Sequence, residues 1–184
     1  EAVVIENGSE TILADGLPYD RCEVGIVTDL GGAQALGHYD IQESHQRVRL
    51  LGTRGEVVLP HGTAVLNAPD PRVAGMAPLC DGDVVLYASD AGTPALAEHL
   101  GAGGKAVLVR QDRVVLATGT SESFLPGMGT LTAWRAQHAS VSVDSLLAAV
   151  GAAWALGLSL NLVGVGVEMF DATPTVTPSF ALPV

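Results

Sequence analysis

An asparagine and an aspartate stand close together at the end of a predicted strand. In "VVLPHGTAVLNAPDP" (57–71), Asn67 closes an apolar run and Asp70 stands between two prolines. The point where a buried strand ends and a helix begins is where open α/β sheets place ligand-binding groups, and a helix start offers free N–H groups. These side chains therefore predict a polar ligand site. The alternative is structural, because Asp-Pro is also a strong helix start.

Other groups that could do chemistry carry a weaker signal. Four titratable residues share the segment "GHYDIQESH": His38, Asp40, Glu43 and His45. They suggest a metal site, but surface polarity explains them better. No stretch matches the phosphate loop G-x-x-x-x-G-K-[ST] or the nucleophile elbow G-x-S-x-G. The glycine-rich runs at 101–105 and 119–129 are interpreted as a turn and a loop.

The elements that must position these residues alternate between strands and helices. β-Branched runs between polar turns predict buried parallel strands, namely 2–6, 23–30, 55–59 and 83–88. Pro60-His61-Gly62 predicts a hairpin between "VVL" and "AVLNA", and a second hairpin is predicted over 105–119 about Gln111-Asp112. Helices are predicted at 11–22 (one turn), 41–53, 70–80, 93–103, 144–157 and 159–170. This alternation predicts an α/β fold.

Composition limits the class of protein further. The 184 residues are 48% hydrophobic and carry a formal charge of −11, which disfavours nucleic acid and anionic membrane surfaces as partners. No basic and apolar leader is visible, so we expect a cytoplasmic protein with Cys22 and Cys80 as reduced thiols. The uncharged run 145–167 is long enough to span a bilayer, but Gly157-Leu158-Ser159 indicates two short buried helices instead.

Several blocks together resemble one known family. They are "ILADGLPYDRCEVGIVTDL", "VVLPHGTAVLNAPDP", "MAPLCDGDVVLYA" and "LLAAVGAAWALGLS…GVEMFDATPTVTP", in that order. The chain resembles the Mur-ligase-like portion of cyanophycin synthetases from Val3 to about Phe170. A Mur ligase of peptidoglycan precursor synthesis is the nearest alternative. The resemblance implies an α/β Mur-ligase-like central domain, a mostly parallel sheet flanked by helices with a β-hairpin insertion.

The resemblance also implies a chemistry. Family members polymerise aspartate and arginine with ATP and Mg²⁺, and the Mur-like domain adds arginine to the aspartate side chain. A carboxylate is activated as an acyl phosphate, which an amine then attacks. Magnesium and fixed cations stabilise the charge that develops on the transferring phosphoryl group. The implied partners are the ATP-grasp and phosphate-loop portions of the same subunit, in a homo-oligomer.

Three residues of this chain match site positions of the family. Glu6, in "VVIEN", matches a magnesium-binding glutamate at a strand end. Asn67 matches an asparagine expected near the adenine of ATP. Asp70 keeps the second aspartate of the "LNADDP" motif, whereas Pro69 replaces the first. The resemblance therefore implies that Asn67 and Asp70 bind the nucleotide and that Glu6 binds the metal.

Other family positions have changed. Asp29 replaces the asparagine of the family's "TN", and Ala35 replaces a magnesium-binding histidine, with His38 three residues further on. Arg49 stands where many Mur ligases carry a carbamylated lysine, and a guanidinium cannot form that carbamate. The phosphate loop is missing. These changes predict an impaired site.

Two hypotheses follow for the chain. In the first, residues 1–171 form a partial Mur-ligase-like domain of an amide ligase, and 172–184 form an extended tail or the start of a C-terminal lobe. Such a fragment is expected not to turn over alone. In the second, the domain is a non-catalytic scaffold or oligomerisation domain. Glu6 and Asn67 favour the first hypothesis, and Asp29, Ala35 and Arg49 favour the second.

Overall fold

A computed structural model describes residues 2–30 and 57–171 of the chain. Several sequence predictions lie outside these residues. They are the helix at 41–53, the polar segment 38–45, the positions Ala35 and Arg49, and the tail 172–184.

Within the described residues, six strands form one sheet in which each strand pairs with the next of these strands along the chain. The strands are β1 (Cys22–Val27), β2 (Val58–Asn67), β3 (Asp83–Ala88), β4 (Lys105–Arg110), β5 (Arg113–Thr118) and β6 (Ser121–Phe124). β1 to β4 are parallel, whereas β5 and β6 are antiparallel to their neighbours. The predicted α/β fold with a mostly parallel sheet is confirmed.

Helices cover both faces of the sheet. They are α1 (Ser9–Asp15), α2 (Pro71–Ala74), α3 (Pro94–Gly101), α4 (Leu131–Gln137), α5 (Val143–Ala155) and α6 (Leu160–Glu168). Successive strand residues point to opposite faces, so Leu66 packs in the cluster with α1 to α3 and Val65 in the cluster with α4 to α6. Gly151 of α5 brings that helix close to the sheet, because a Cβ there would lie 3.0 Å from Val65 Cγ1.

The hairpin predicted at Pro60-His61-Gly62 is wrong, because β2 runs through these residues as one strand. Cys22 pairs with Val58 and Val24 pairs with Thr63, so β2 bulges between the two pairs. Proline cannot donate to the ladder and is tolerated at such a bulge. Gly62 allows the chains to meet, since a Cβ there would lie 2.5 Å from the Glu23 carbonyl oxygen.

The other hairpin is confirmed. β4 and β5 pair in register about Gln111 and Asp112, whose φ angles are 53° and 58°. Two consecutive residues with positive φ are typical of the two-residue hairpin turn whose twist matches the right-handed twist of the paired strands.

Two further segments differ from their predicted secondary structure, and both are exposed. Residues 2–6, predicted as a strand, have no regular structure, and Val3 and Val4 are 82% and 90% exposed. A β-branched run becomes a strand only where a neighbour completes its hydrogen bonds, and no described strand pairs with this run. The reverse error is β6, a wholly exposed polar strand inside the predicted loop, where the Arg113 guanidinium lies 4.3 Å from the Phe124 ring centre.

The predicted stop and new cap at Gly157-Leu158-Ser159 are confirmed. The predicted helix at 70–80 is shorter, because α2 ends at Ala74 and a 3-10 turn covers Ala77–Leu79, and α4 was not predicted. Ser142 and Ser159 accept hydrogen bonds from the first turns of α5 and α6. Gly157, with φ of 76°, separates these two helices, which are 13 and 9 residues long. In the described ranges, therefore, no helix has the length and apolar character needed to cross a membrane.

Both cysteines are free thiols, and both are half-buried. Cys22 opens β1 and Cys80 precedes β3, so both lie towards the amino ends of the parallel strands. Burial, and then the neighbouring Cys80 thiol, raises the pKa of Cys22.

Candidate functional site

The carboxyl ends of the parallel strands bring several polar side chains, including the predicted Asn67, to one edge of the sheet. Thr28 and Asp29 follow β1, Asn67 ends β2, and Tyr87 lies near the end of β3. The register places Val27 beside Leu66 and Asn67 beside Tyr87. This is the edge at which open α/β sheets bind ligands.

Asn67 connects β1 to β2 through its side chain. Its Nδ2 donates a hydrogen bond of 2.7 Å to the carbonyl oxygen of Thr28. Its Oδ1 is buried and has no hydrogen-bond partner among residues 2–30 and 57–171. Because one end of the amide is fixed by the backbone, the other end is held with its oxygen as a hydrogen-bond acceptor.

Asp70 opens α2, as its position before Pro71 predicted. Its Oδ1 accepts from the backbone N–H of Arg72 at 2.9 Å, and the Arg72 guanidinium contacts both carboxylate oxygens at 3.0 and 2.8 Å. The hydrogen bond from the Arg72 side chain is the main cause that lowers the pKa of Asp70. The structural interpretation of this residue is therefore confirmed, and its nucleotide-binding role stays a prediction.

Glu6 is exposed and lines a groove of about 810 Å³ that runs beside β1. Thr28 and Asp29 line the same groove, as does Leu156, which directly follows α5. The Thr28 carbonyl accepts from Asn67, but Asn67 itself is not among the residues that line this groove. The Thr28 hydroxyl donates to Asp29 Oδ2 at 2.9 Å, so the aspartate that replaces the family's asparagine is held in place.

Sequence reasoning missed Tyr87 as a site residue. It is fully buried, and its hydroxyl has no hydrogen-bond partner in the described part of the chain. Burial, and then the carboxylates of Asp144 and Asp29, raises its pKa. The available signal was one phenol at the end of an otherwise aliphatic strand, "DVVLYA".

The polar atoms of the described residues suit the base of a nucleotide better than a metal ion that is held by protein side chains alone. Asn67 Oδ1 is a free acceptor of the kind that an amino-bearing base requires. No group of three or more His, Cys, Asp or Glu side chains that could hold a metal occurs within residues 2–30 and 57–171. A magnesium ion at Glu6 would therefore take most of its ligands from phosphate oxygens and water, as this ion commonly does.

The sheet with its two helical layers is a Mur-ligase-like α/β domain. MurF from Acinetobacter baumannii matches it with a TM-score of 0.51 at 20% identity, over 81% of this chain and 29% of that chain. At this identity the likeness shows the fold alone. No protein-family model matches the sequence.

Sequence comparison identifies closer relatives. The cyanophycin synthetase of Crocosphaera subtropica is 31% identical over 178 residues, and that of Synechocystis sp. is 30% identical over 178 residues. Each match covers 97% of this chain and 20% of the relative. The chain is thus a relative of the cyanophycin synthetases, which confirms the resemblance found in its motifs. It spans about one fifth of the length of the curated relatives that it matches.

Proposed function

We propose that this chain is the Mur-ligase-like domain of an ATP-dependent amide ligase of the cyanophycin synthetase type, making an aspartate/arginine polymer. The observation that carries the proposal is the contact between Asn67 and the carbonyl of Thr28, a residue that lines the same groove as Glu6. This contact leaves Asn67 Oδ1 as a buried acceptor at the carboxyl edge of the sheet. The relatives support the class of reaction.

In this proposal each residue has a limited task. Asn67 Oδ1 accepts a hydrogen bond from the base of ATP, while its Nδ2 keeps β1 and β2 together. Glu6 contributes one carboxylate to magnesium. Asp70 and Arg72 set the start of α2 beside the nucleotide. The bound Mg·ATP would supply the phosphoryl group that activates a carboxylate for attack by an amine.

We further propose that the site of this chain is incomplete. The sequence has no glycine-rich phosphate loop, so the triphosphate must be held by other parts of a longer polypeptide, including its phosphate-loop and ATP-grasp portions. The 184 residues alone are then expected to show no turnover. A homo-oligomer of the longer polypeptide in the cytoplasm is part of the same proposal.

A scaffold or oligomerisation domain is the second candidate. Asp29 favours it, because a carboxylate at this edge adds negative charge near the place that a triphosphate would occupy. The replacements at Ala35 and Arg49 point the same way.

Calorimetric titration of the longer polypeptide with Mg·ATP distinguishes the two candidates. We expect Asn67→Ala to weaken ATP binding by about 2- to 10-fold, the range for one net hydrogen bond. Asn161→Ala is the matched control, because Asn161 is exposed on α6. Measurable affinity that Asn67→Ala reduces supports the ligase; no heat with the wild-type polypeptide supports the scaffold.

A further inference from the structure

The outer side of α6 is a row of apolar side chains that no element of residues 2–30 and 57–171 covers. Val163 and Val167 lie on the inner side and pack in the cluster with α4 and α5. Leu162, Val165 and Met169, spaced three and four residues apart, share the other side, and they are 56%, 44% and 77% exposed. We call these three residues the outer row. A helix that is apolar on every side is normally buried on every side.

Contacts near the end of α6 hold the outer row in this orientation. The indole Nε1 of Trp134 donates to the carbonyl oxygen of Val167 at 3.1 Å, and His138 Nε2 lies 2.8 Å from the carbonyl oxygen of Phe170. The helix therefore cannot rotate to bury the outer row without breaking these contacts. Single exposed apolar residues are normal on a protein surface, whereas a contiguous row of them marks a contact site.

The segment that directly follows the described residues has a composition that matches the outer row. Residues 172–184, "ATPTVTPSFALPV", carry no charged side chain, although the chain has a formal charge of −11. The three prolines of this segment favour the extended conformation predicted for it. In an extended segment Phe180, Leu182 and Val184 lie on one side, because they are two residues apart. Covering the outer row with this side removes no charge from water.

The segment is long enough to lie along α6. The helix has nine residues and is about 13 Å long at about 1.5 Å per residue. The thirteen residues 172–184 span up to about 43 Å when extended. They can therefore reverse direction after Asp171 and pass the whole outer row.

We propose that residues 172–184 fold back along α6 and cover the outer row with Phe180 and Leu182. The segment is tethered to the helix, so its local concentration is about millimolar and a weak contact is enough. A second copy of the chain is a poorer occupant. A standard interface uses about 20–30 residues per partner, whereas the outer row has three, and two copies of charge −11 repel each other.

The rate at which hydrogen peroxide oxidises Met169 in the 184-residue chain tests this contact. Peroxide transfers one oxygen atom to the thioether sulfur, which gives the sulfoxide and water, and an exposed sulfur reacts faster than a covered one. Met76 and Met128, which are 2% and 5% exposed, are internal references in the same peptide map. We expect the double substitution F180D/L182D to speed the oxidation of Met169 at least 5-fold and to leave both references unchanged.

The matched control is the double substitution T173D/T175D. It adds the same two charges to the same segment and keeps Phe180 and Leu182, so Met169 should oxidise within 2-fold of the wild-type rate. Val165→Lys tests the contact from the helix side. Because Val165 is exposed on α6, this substitution should leave the references unchanged and speed the oxidation of Met169 at least 3-fold.

Each outcome supports or overturns the inference. Met169 that oxidises equally fast in the wild type and in F180D/L182D shows that the segment does not cover the outer row. Protection of Met169 that grows with the concentration of the chain identifies a second copy as the occupant and also overturns it. If F180D/L182D exposes Met76 and Met128 as well, Val165→Lys decides by the same criterion. The inference does not depend on the proposed function, since none of these rates requires a nucleotide.

Discussion

Replacing Gly62 by alanine tests the bulge that holds β1 against β2. A Cβ at this position would lie 2.5 Å from the carbonyl oxygen of Glu23, 2.9 Å from Val58 Cγ1 and 3.1 Å from the carbonyl oxygen of Leu59. Carbon and oxygen atoms normally stay more than about 3.3 Å apart, so the Glu23 carbonyl would have to retreat by about 0.8 Å. Backbone atoms of a paired strand cannot avoid the methyl group by changing rotamer.

The loss of stability is therefore expected to lie at the upper end of the range for adding one methyl group to a packed region. Overpacking in a well-packed region costs about 1–3 kcal/mol, and here the clash includes two backbone oxygens. We expect the free energy of unfolding to fall by about 3 kcal/mol. For a chain of this size the melting temperature should fall by about 6–12 °C. The contact of Asn67 with Thr28 should loosen as well, because it depends on the same strand pair.

Urea unfolding followed by tryptophan fluorescence measures this loss. Gly166→Ala is the matched control, because Gly166 lies within α6 and a Cβ there meets no atom within 4 Å. Removing a glycine from a helix should raise the free energy of unfolding by about 0.5–1 kcal/mol. If Gly62→Ala were as stable as the wild type, the close approach of β1 and β2 would be refuted.

Three other substitutions test separate parts of the molecule by the same unfolding assay. Asp70→Ala should cost about 0.5–2 kcal/mol at neutral pH. Because Arg72 lowers the pKa of Asp70, this difference is present above the ordinary carboxyl pKa and is lost as the pH falls through the lowered value, so a difference that persists in acid would contradict it. Tyr87→Phe should raise stability by about 1 kcal/mol by removing an unpartnered hydroxyl, and a loss of that size would show that the hydroxyl has a partner. His138→Ala should cost about 2–3 kcal/mol, because the ring contacts the carbonyls of Trp134 and Phe170 at 2.9 and 2.8 Å, and a change below about 0.5 kcal/mol would contradict these contacts.

The parallel sheet could be predicted because its strands carry their own signal. "DVVLYA" and "KAVLVR" are β-branched runs with turns on both sides, and each forms the expected strand. The start of α2 at Asp70 was readable from Asp-Pro alone. Such features depend on residues that are close together in sequence, so one sequence is enough to predict them.

The wrong predictions concern features that depend on residues far apart in sequence. Pro60-His61-Gly62 has the composition of a turn, and only the pairing of Cys22 and Val24 with distant residues shows that it is a bulge. Residues 2–6 have the composition of a strand but lack a described partner. Both outcomes depend on contacts between strands that are far apart in sequence.

The candidate site was predictable in its position and not in its details. Asn67 could be placed at the carboxyl edge because it ends an apolar run before a helix start. The contact of its amide with Thr28 joins residues 39 positions apart and has no local signature. Tyr87 resembles an ordinary core residue until its unpartnered hydroxyl and the nearby Asp144 are seen together. The roles of Glu6 and Asp70 stay predictions.

Photolabelling the longer polypeptide with Mg·azido-ATP, followed by peptide mapping, tests the central claim most directly. Nucleotide binding at the carboxyl edge predicts label on peptides that contain Thr28, Asn67 or Tyr87, and excess ATP should remove it. Label that ATP displaces only from the opposite edge, near Pro60 or Cys80, would contradict the claim.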